Sequence, residues 1–259
     1  MADKPRVLIA IPAYNCEKQI TRVLDEIDEQ LATRVEEIAI IDNGSPDSTV
    51  QAALDYKKTG RLPNLHVYRN VANYNLGGTH KVAFLKAEQM SLTHVVILHG
   101  DNQAKSDEAN RLLDYAEAHP ETQTVLGSRF NKDSVLKGYD FKRIAGNRVL
   151  NIIYSVVTLR KCEDLGSGLN VFALRDMDKT TYLEFADKLT FNFELLLDLI
   201  KRKVQFAYVP ITWREDDQVS NARNFNIFKV ALVNLLSWRL GKTTTPTHTP
   251  NDYKCEEQF

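Results

Sequence analysis

The chain has 259 residues, 43% of them hydrophobic and 26% charged, with 33 Lys and Arg against 34 Asp and Glu. These are ordinary values for a folded globular protein with a full core. A formal net charge of −1 gives no electrostatic case for nucleic acid, and no nucleic-acid partner is expected. Cys16, Cys162 and Cys255 lie far apart, which excludes a disulfide framework and a zinc-ligand spacing and points to a reducing cytoplasm. No apolar run approaches the roughly 18 residues of a spanning helix, and the opening residues carry no leader-like apolar stretch.

Residues 6–11 (RVLIAI) read as a first buried strand. Pro12, Ala13, Tyr14 and Asn15 turn out of it, and residues 17–31 carry helical spacing. Residues 37–41 are a second strand, ending in Asp42-Asn43-Gly44-Ser45-Pro46-Asp47-Ser48-Thr49, where Asp47 or Ser48 can cap the next helix. A short third strand at 65–68 precedes NYNLGG at 73–78, which leads into a helix reaching about residue 90. The apolar run 95–98 is a fourth strand, followed by His99-Gly100-Asp101-Asn102-Gln103. A helix over about 106–118 and a strand at 124–126 follow, the latter ending in Gly127-Ser128-Arg129-Phe130. This alternation predicts an α/β fold, a single Rossmann-type domain with a mainly parallel central sheet and helices on both faces.

The second half opens with Lys142 and Arg143 before an apolar helix at 147–158. Glu163-Asp164-Leu165-Gly166-Ser167-Gly168 leads into a strand at 169–173, then a helix at 191–200 and a strand at 204–209. Trp213-Arg214-Glu215-Asp216-Asp217 begins a polar loop reaching about residue 224. Residues 225–240 form a helix apolar over most of its circumference, too short to cross a hydrocarbon layer of roughly 30 Å. It reads either as a core helix or as one lying in a membrane interface, with Trp238, Arg239 and Lys242 at the boundary. The Thr-, Pro- and charge-rich stretch 242–259 is expected to be a mobile tail.

Chemistry gathers in the loops that end successive strands. In an open α/β sheet, ligands bind beyond the carboxyl ends of strands. Asp101, with His99 and Gln103 two residues to either side, can hold a divalent cation against phosphate oxygens; Asp101 can equally be a helix cap. Imidazole is a poor partner for a hard cation, so His99 also reads as a histidine satisfied at the core edge. Gly77 and Gly78 allow close backbone approach, and the helix behind them can offer N–H groups to an anion. The chain has neither GxGxxG after the first strand nor a Walker lysine motif, which disfavours dinucleotide and P-loop chemistry.

IPAYN at 11–15, DNGSPDST at 42–49, Gly77-Gly78, HGDNQ at 99–103, GSRF at 127–130 and D-x-x-S-G at 164–168 occur in an order that resembles family 2 glycosyltransferases. The chain is most similar to the dolichyl- or polyprenyl-phosphate hexose synthases. His99 stands where that family usually has Asp. Arg214, with Ser220 and Arg223, stands at the family's acceptor loop.

The resemblance implies the nucleotide-sugar-binding GT-A fold over 1–241. Within it, 5–135 would be the nucleotide-sugar-binding half, 136–224 the acceptor and catalytic half, and 225–241 the amphipathic helix. It implies a nucleoside diphosphate sugar donor, UDP- or GDP-linked, held by Pro12, Ala13, Tyr14, Asn15, Glu17, Asp42, Gly44, Ser45, Gly77, Gly78, Gly100 and Asp101. Mg2+ or Mn2+ would be held by Asp101 and Gln103, with His99 a third candidate ligand. Arg129 and Arg143 would neutralise the leaving diphosphate. Asp164 would stand at the anomeric carbon of an inverting displacement, and Arg214 would hold an acceptor phosphate. The acceptor would be a lipid phosphate, with the protein cytoplasmic and peripheral at the inner membrane face. A hydroxyl of a polysaccharide, lipopolysaccharide or glycolipid is the alternative acceptor, and a non-catalytic nucleotide-sugar-binding module the alternative to an enzyme.

Overall fold

The computed structural model describes residues 4–215, 224–242 and 245–259. Four strands form its parallel half: β1 (Val7–Ala13), β2 (Glu37–Asp42), β3 (Leu65–Asn70) and β4 (His94–Leu98). They lie in the order β3-β2-β1-β4, so the chain reverses its direction of travel across the sheet between β1 and β4. Beyond β4, β7 (Leu169–Ala173) runs antiparallel between β4 and β5 (Thr124–Ser128), and β8 (Phe206–Pro210) lies parallel to β5. Two short strands, β6 (Val135–Lys137) and β9 (Thr212–Arg214), pair in a separate ribbon that the sequence reading did not foresee.

Every residue of β1, β2 and β4 is buried, the continuous apolar pattern of strands covered on both faces. Side-chain alternation divides the core: Leu8 and Ala10 of β1 face one layer, Val7, Ile9 and Ile11 the other. The second layer contains α1 (Ile20–Asp25), α2 (Glu29–Arg34), α3 (Thr49–Lys58) and α5 (Ala109–Ala118). The first contains α4 (Asn75–Gln89), α6 (Phe141–Thr158), α7 (Lys179–Tyr182), α8 (Phe191–Lys201) and α9 (Asn224–Arg239).

The single helix expected over 17–31 is two. Asp28 adopts an extended ψ of 169° and its side chain accepts from Leu31 N at 2.7 Å, so it caps a new helix. Asp47 caps α3 as foreseen, accepting from Thr49 N at 3.1 Å. α6 starts at Phe141, earlier than its apolar run, because Asp140 accepts from Arg143 N and fixes the first turn.

The tail is the larger correction. Residues 245–259 are packed rather than mobile, and Cys255–Gln258 forms β10, antiparallel to β3 at the sheet edge. Composition hides this because the strand is held by backbone pairing with an edge that would otherwise lack partners. A buried cluster fixes the approach. Lys81 Nζ, on α4, donates to Asp187 Oδ1 at 2.8 Å and to Leu183 O at 3.1 Å. Tyr253 OH donates to the same carboxylate oxygen at 2.6 Å, and Thr247 N reaches Oδ2 at 2.9 Å. Burial would raise the Asp187 carboxyl, but hydrogen bonds from Lys81, Tyr253 and His248 outweigh it and hold the group below its ordinary value. The Ser220 and Arg223 cluster and Asp216 and Asp217 lie outside the described residues.

Asp187→Asn leaves the Lys81 ammonium buried without its counter-charge. We expect it to destabilise the fold by about 3–5 kcal/mol, measured by urea unfolding. In the wild type this contribution is present above the ordinary carboxyl pKa of about 4 and lost as pH falls through the lower native value. Unchanged stability in Asp187→Asn would show that the cluster does not secure the tail.

Candidate active site

The direction reversal between β1 and β4 opens a crevice at the carboxyl ends of both strands, the usual ligand position in such sheets. The loop after β4 is laid across β1: Gly100 N donates to Pro12 O at 2.9 Å, and a Cβ on Gly100 would meet Pro12 O at 3.2 Å. From this crevice a cavity of about 800 Å³ runs toward α6 and α9. Pro12, Tyr14, His99, Gly100, Asp101 and Gln103 line its sheet end, and Arg129, Tyr139, Arg143 and Asn147 its far wall. Ile227 and Phe228 of α9 close it.

Asp101 faces the cavity, its Oδ1 accepting from Gln103 N at 3.2 Å in a tight turn. Burial raises its carboxyl above the ordinary value, as expected of an anion awaiting a cation or a donor. His99 lines the same end, with its ring against α4. Its Nε2 lies 3.3 Å from Nε2 of His80, a fully buried residue of α4. Burial lowers both imidazoles, so both are neutral near pH 7 and one N–H is shared between them. His80 Nδ1 has no partner of good geometry. The His80 ring also meets the side chain of Asn192. His99 Nε2 is thus engaged by His80 while the residue still lines the cavity. No group of three or more His, Cys, Asp or Glu able to hold a metal occurs among the described residues. A cation here would take Asp101, the Gln103 amide, and oxygens from ligand and water; this donor set fits a hard ion that keeps few protein ligands.

The four residues assigned to chemistry are all ion-paired. Arg129 donates from Nε and Nη2 to the Asp164 oxygens at 2.7 Å each, and from its backbone N at 2.9 Å. Asp164 also accepts from Gly166 N at 3.1 Å and is 2% exposed. The carboxylate is paired with the guanidinium and is not among the residues lining this cavity. Its work is to aim Arg129, whose guanidinium lies 4.9 Å from the Trp213 ring centre. Burial disfavours the Arg129 charge, but Asp164 more than compensates. Arg143 reaches the cavity while held by Glu215 at 2.5 Å. Arg214 does not line the cavity: it pairs with Glu26 at 2.6 Å and donates to Asn102 Oδ1 and Ala104 O, bracing the 101–104 loop from outside.

The nucleotide residues divide similarly. Pro12, Tyr14, Gly100 and Asp101 line the cavity; Ala13, Asn15, Glu17, Asp42, Gly44, Ser45, Gly77 and Gly78 do not. Asp42 accepts from Gly44 N and Ser45 N and lies 3.5 Å from Arg69 Nε, with Gly44 at φ 79°. Asn15 N donates to Ser45 Oγ at 3.0 Å, and Glu17 Oε2 accepts from Ser48 N at 3.3 Å, so these loops brace one another. The N–H groups of Gly77 and Gly78 donate to Asp187 O at 2.7 and 3.2 Å and face no anion. A Cβ on Gly77 would come within 2.5 Å of Phe191 Cβ, so the glycines serve close packing of α4. His80, Tyr139, Asn192 and Glu215 escaped the sequence reading; no local spacing marks them, since each reaches the site from a different element. Cys16 also lines the wall, with burial pushing its thiol up to about 12, which keeps it protonated.

Residues 8–177 match the family model for glycosyl transferase family 2. Among curated proteins, the chain is 25% identical over 233 residues to a dolichyl-phosphate beta-glucosyltransferase of Trichomonas vaginalis, covering 82% of this chain and 68% of that one. It is 25% identical over 255 residues to a UDP-N-acetylglucosamine–dolichyl-phosphate N-acetylglucosaminyltransferase of Methanococcus voltae, covering 93% and 99%. Among solved structures, glucosyl-3-phosphoglycerate synthase from Mycobacterium tuberculosis with Mn2+, UDP-glucose and phosphoglyceric acid superposes with a TM-score of 0.69 at 16% identity, covering 93% and 81%. A mannosyltransferase from Pyrobaculum calidifontis with GDP-mannose and Mn2+ gives 0.64 at 17%, covering 95% and 67%. These structural likenesses establish a GT-A glycosyltransferase fold.

Asp164→Asn should lower stability by about 3 kcal/mol, because it leaves a largely buried guanidinium half-paired. Thermal and urea unfolding would read this, and Asp164→Asn combined with Arg129→Met should recover part of the loss. Wild-type unfolding in the single variant would show that the pair does not hold the wall together.

Proposed function

The chain belongs to glycosyl transferase family 2, and from that premise we propose that it transfers a sugar from a nucleoside diphosphate sugar to a lipid phosphate of the polyprenyl or dolichyl kind. One observation carries the reading: the cavity starts at Asp101 on the sheet edge and ends between α6 and α9, whose outer faces are apolar. On α6, Ile152 and Val156 are 63% and 67% exposed; on α9, Val233 and Leu236 are 54% and 61% exposed. The inner face of α9 packs Ala231 and Leu235 into the core, so this helix is at once a core helix and an apolar surface. Asn234, a polar residue of this largely apolar helix, is buried and donates to Glu194 Oε1 at 3.2 Å. A patch of this kind beside a cavity mouth suits a lipid interface. No helix among the described residues is long and apolar enough to cross a membrane. The three free thiols agree with a reducing, cytoplasmic face.

In this reading the donor diphosphate lies over Asp101 and Gln103, with its sugar toward Arg129 and Asn192. A Mg2+ or Mn2+ ion held by Asp101 and Gln103 would supply Lewis-acid neutralisation of the leaving diphosphate. Arg129, aimed by Asp164, adds fixed positive charge where leaving-group charge develops. Relatives with UDP- and GDP-linked donors favour those two nucleotides. A single displacement inverts the anomeric carbon. The acceptor phosphate is already ionised near pH 7 and needs no base. Among the described residues, the carboxylates lining the cavity are Asp101 and Asp140, and Asp140 is occupied as the cap of α6. A hydroxyl acceptor would need a general base and a phosphate would not; relatives named for dolichyl phosphate support the phosphate.

The decisive assay incubates the protein with Mn2+, labelled UDP-glucose, UDP-N-acetylglucosamine or GDP-mannose, and a polyprenyl phosphate, then extracts the lipid phase. Label in the lipid phase is expected for one donor; transfer only to water-soluble glycans would overturn the acceptor. Asp101→Asn should abolish metal-dependent turnover in a folded protein, and turnover unaffected by excess EDTA would remove the metal from this loop. Ile152→Glu with Leu236→Glu should reduce sedimentation with anionic liposomes by about threefold or more while nucleotide binding persists. Equal sedimentation of this variant and the wild type would show that the apolar faces do not meet lipid.

A further inference from the structure

Arg143 is engaged by Glu215 before any ligand arrives. Its Nη1 lies 2.5 and 2.6 Å from the two carboxylate oxygens, with the side chains 18% and 14% exposed. Both ends are anchored. Glu215 N donates to Lys137 O at 3.0 Å on the small ribbon. Gly138, at φ +69°, admits this approach, since a Cβ there would meet Glu215 O at 2.8 Å. Arg143 sits in the first turn of α6 with its guanidinium 4.7 Å from the Tyr139 ring centre. A pair fixed at both ends on a cavity wall differs from the usual exposed pair, whose long side chains wander.

Each arginine of the wall has its own carboxylate, and Lys142 also lines the cavity. Asp164 neutralises Arg129 and Glu215 neutralises Arg143, with the Tyr139 phenol close to all four groups. The two carboxylates are held differently. Asp164 receives three hydrogen bonds from Arg129 and one from Gly166, and is sealed behind the wall. Glu215 holds Arg143 through a single nitrogen of a guanidinium that lines the cavity. Of the two pairs, this is the one a ligand can open.

We infer that Glu215 is a specificity-determining residue: its carboxylate occupies the anion position on Arg143, so this end of the cavity takes only a group anionic enough to displace it. A phosphate monoester qualifies, because it offers the guanidinium more oxygens and more charge than a carboxylate. A neutral hydroxyl offers nothing that Glu215 does not already supply. The pair makes Arg143 a filter for phosphate and stops it from trapping weaker anions. The identity of that phosphate as an acceptor rests on the transferase reading above; the filter itself does not.

The test is isothermal titration of the full chain with inorganic phosphate at low salt, for wild type, E215Q, E215D, R143Q and E215Q/R143Q. E215Q should bind phosphate about two- to fivefold tighter than wild type, the factor that losing a competing ion pair of this exposure supplies. The gain should shrink with added salt and disappear in E215Q/R143Q. E215D keeps the charge but shortens the reach, so it should fall between wild type and E215Q, and it serves if E215Q melts early. Phosphate binding by E215Q no tighter than by wild type, a gain that survives loss of Arg143, or no binding by any variant would overturn the inference. Failure of wild type to glycosylate a polyprenyl phosphate would remove the lipid acceptor and leave the phosphate result standing. Equal phosphate affinities would remove the filter and leave the transferase reading intact.

Discussion

Lys81 and Asp187 lie 2.8 Å apart with both side chains fully buried, and the cavity's inner wall is assembled around them. Neither charge is tolerable without the other, so everything that approaches one must accommodate the pair. Asp187 O receives the N–H groups of Gly77 and Gly78, which draws the start of α4 onto the segment before α8. Phe191 and Asn192 then stand beside His80, the next residue to Lys81, and His80 holds His99 at the mouth of the β4 loop. Tyr253 and Thr247 close the same pair from the tail. One ion pair thereby links the sheet edge, two helices and the C-terminal strand to the position of a cavity residue.

The cavity follows a related rule: its two arginines are provided with partners in advance. A buried or half-buried guanidinium without a counter-charge would be costly in the free protein. Asp164 on Arg129 and Glu215 on Arg143 meet that cost in different ways, one permanent and one exchangeable. Arg214 shows a third use, since its pairing with Glu26 lies outside the cavity and stiffens the loop that carries Asp101. Arginines that look alike as sequence signals thus divide into one that is aimed, one that is masked and one that braces.

Much of this was legible beforehand. The alternation of apolar runs and helical spacing gave the order of β1 to β4 and the sheet with helices on both faces, because side chains in doubly covered strands leave little freedom for anything else. The loop residues Asp101 and Gln103 were identifiable, because a ligand site in such a sheet lies at strand ends. Less was legible where partners come from far along the chain. His80 meets His99 from another element, Glu215 meets Arg143 across 72 residues, and β10 pairs with β3 although its sequence is polar. Asp42, Gly77 and Gly78 carried the family pattern, yet their polar atoms are spent on neighbouring backbone.

The sequence by itself determined the fold class, the family and the edge of the sheet where the cavity opens. Each of these rests on periodicity, turn chemistry and motif order, which are local properties of the chain. Tertiary structure alone decided what each charged group does. Whether a carboxylate is a base, an aiming partner or a displaceable mask depends on which cation lies within about 3 Å and on how much water remains. Asp164 and Glu215 are both acidic residues in polar loops when read along the chain; folding seals one behind Arg129 and leaves the other on an arginine of the cavity wall.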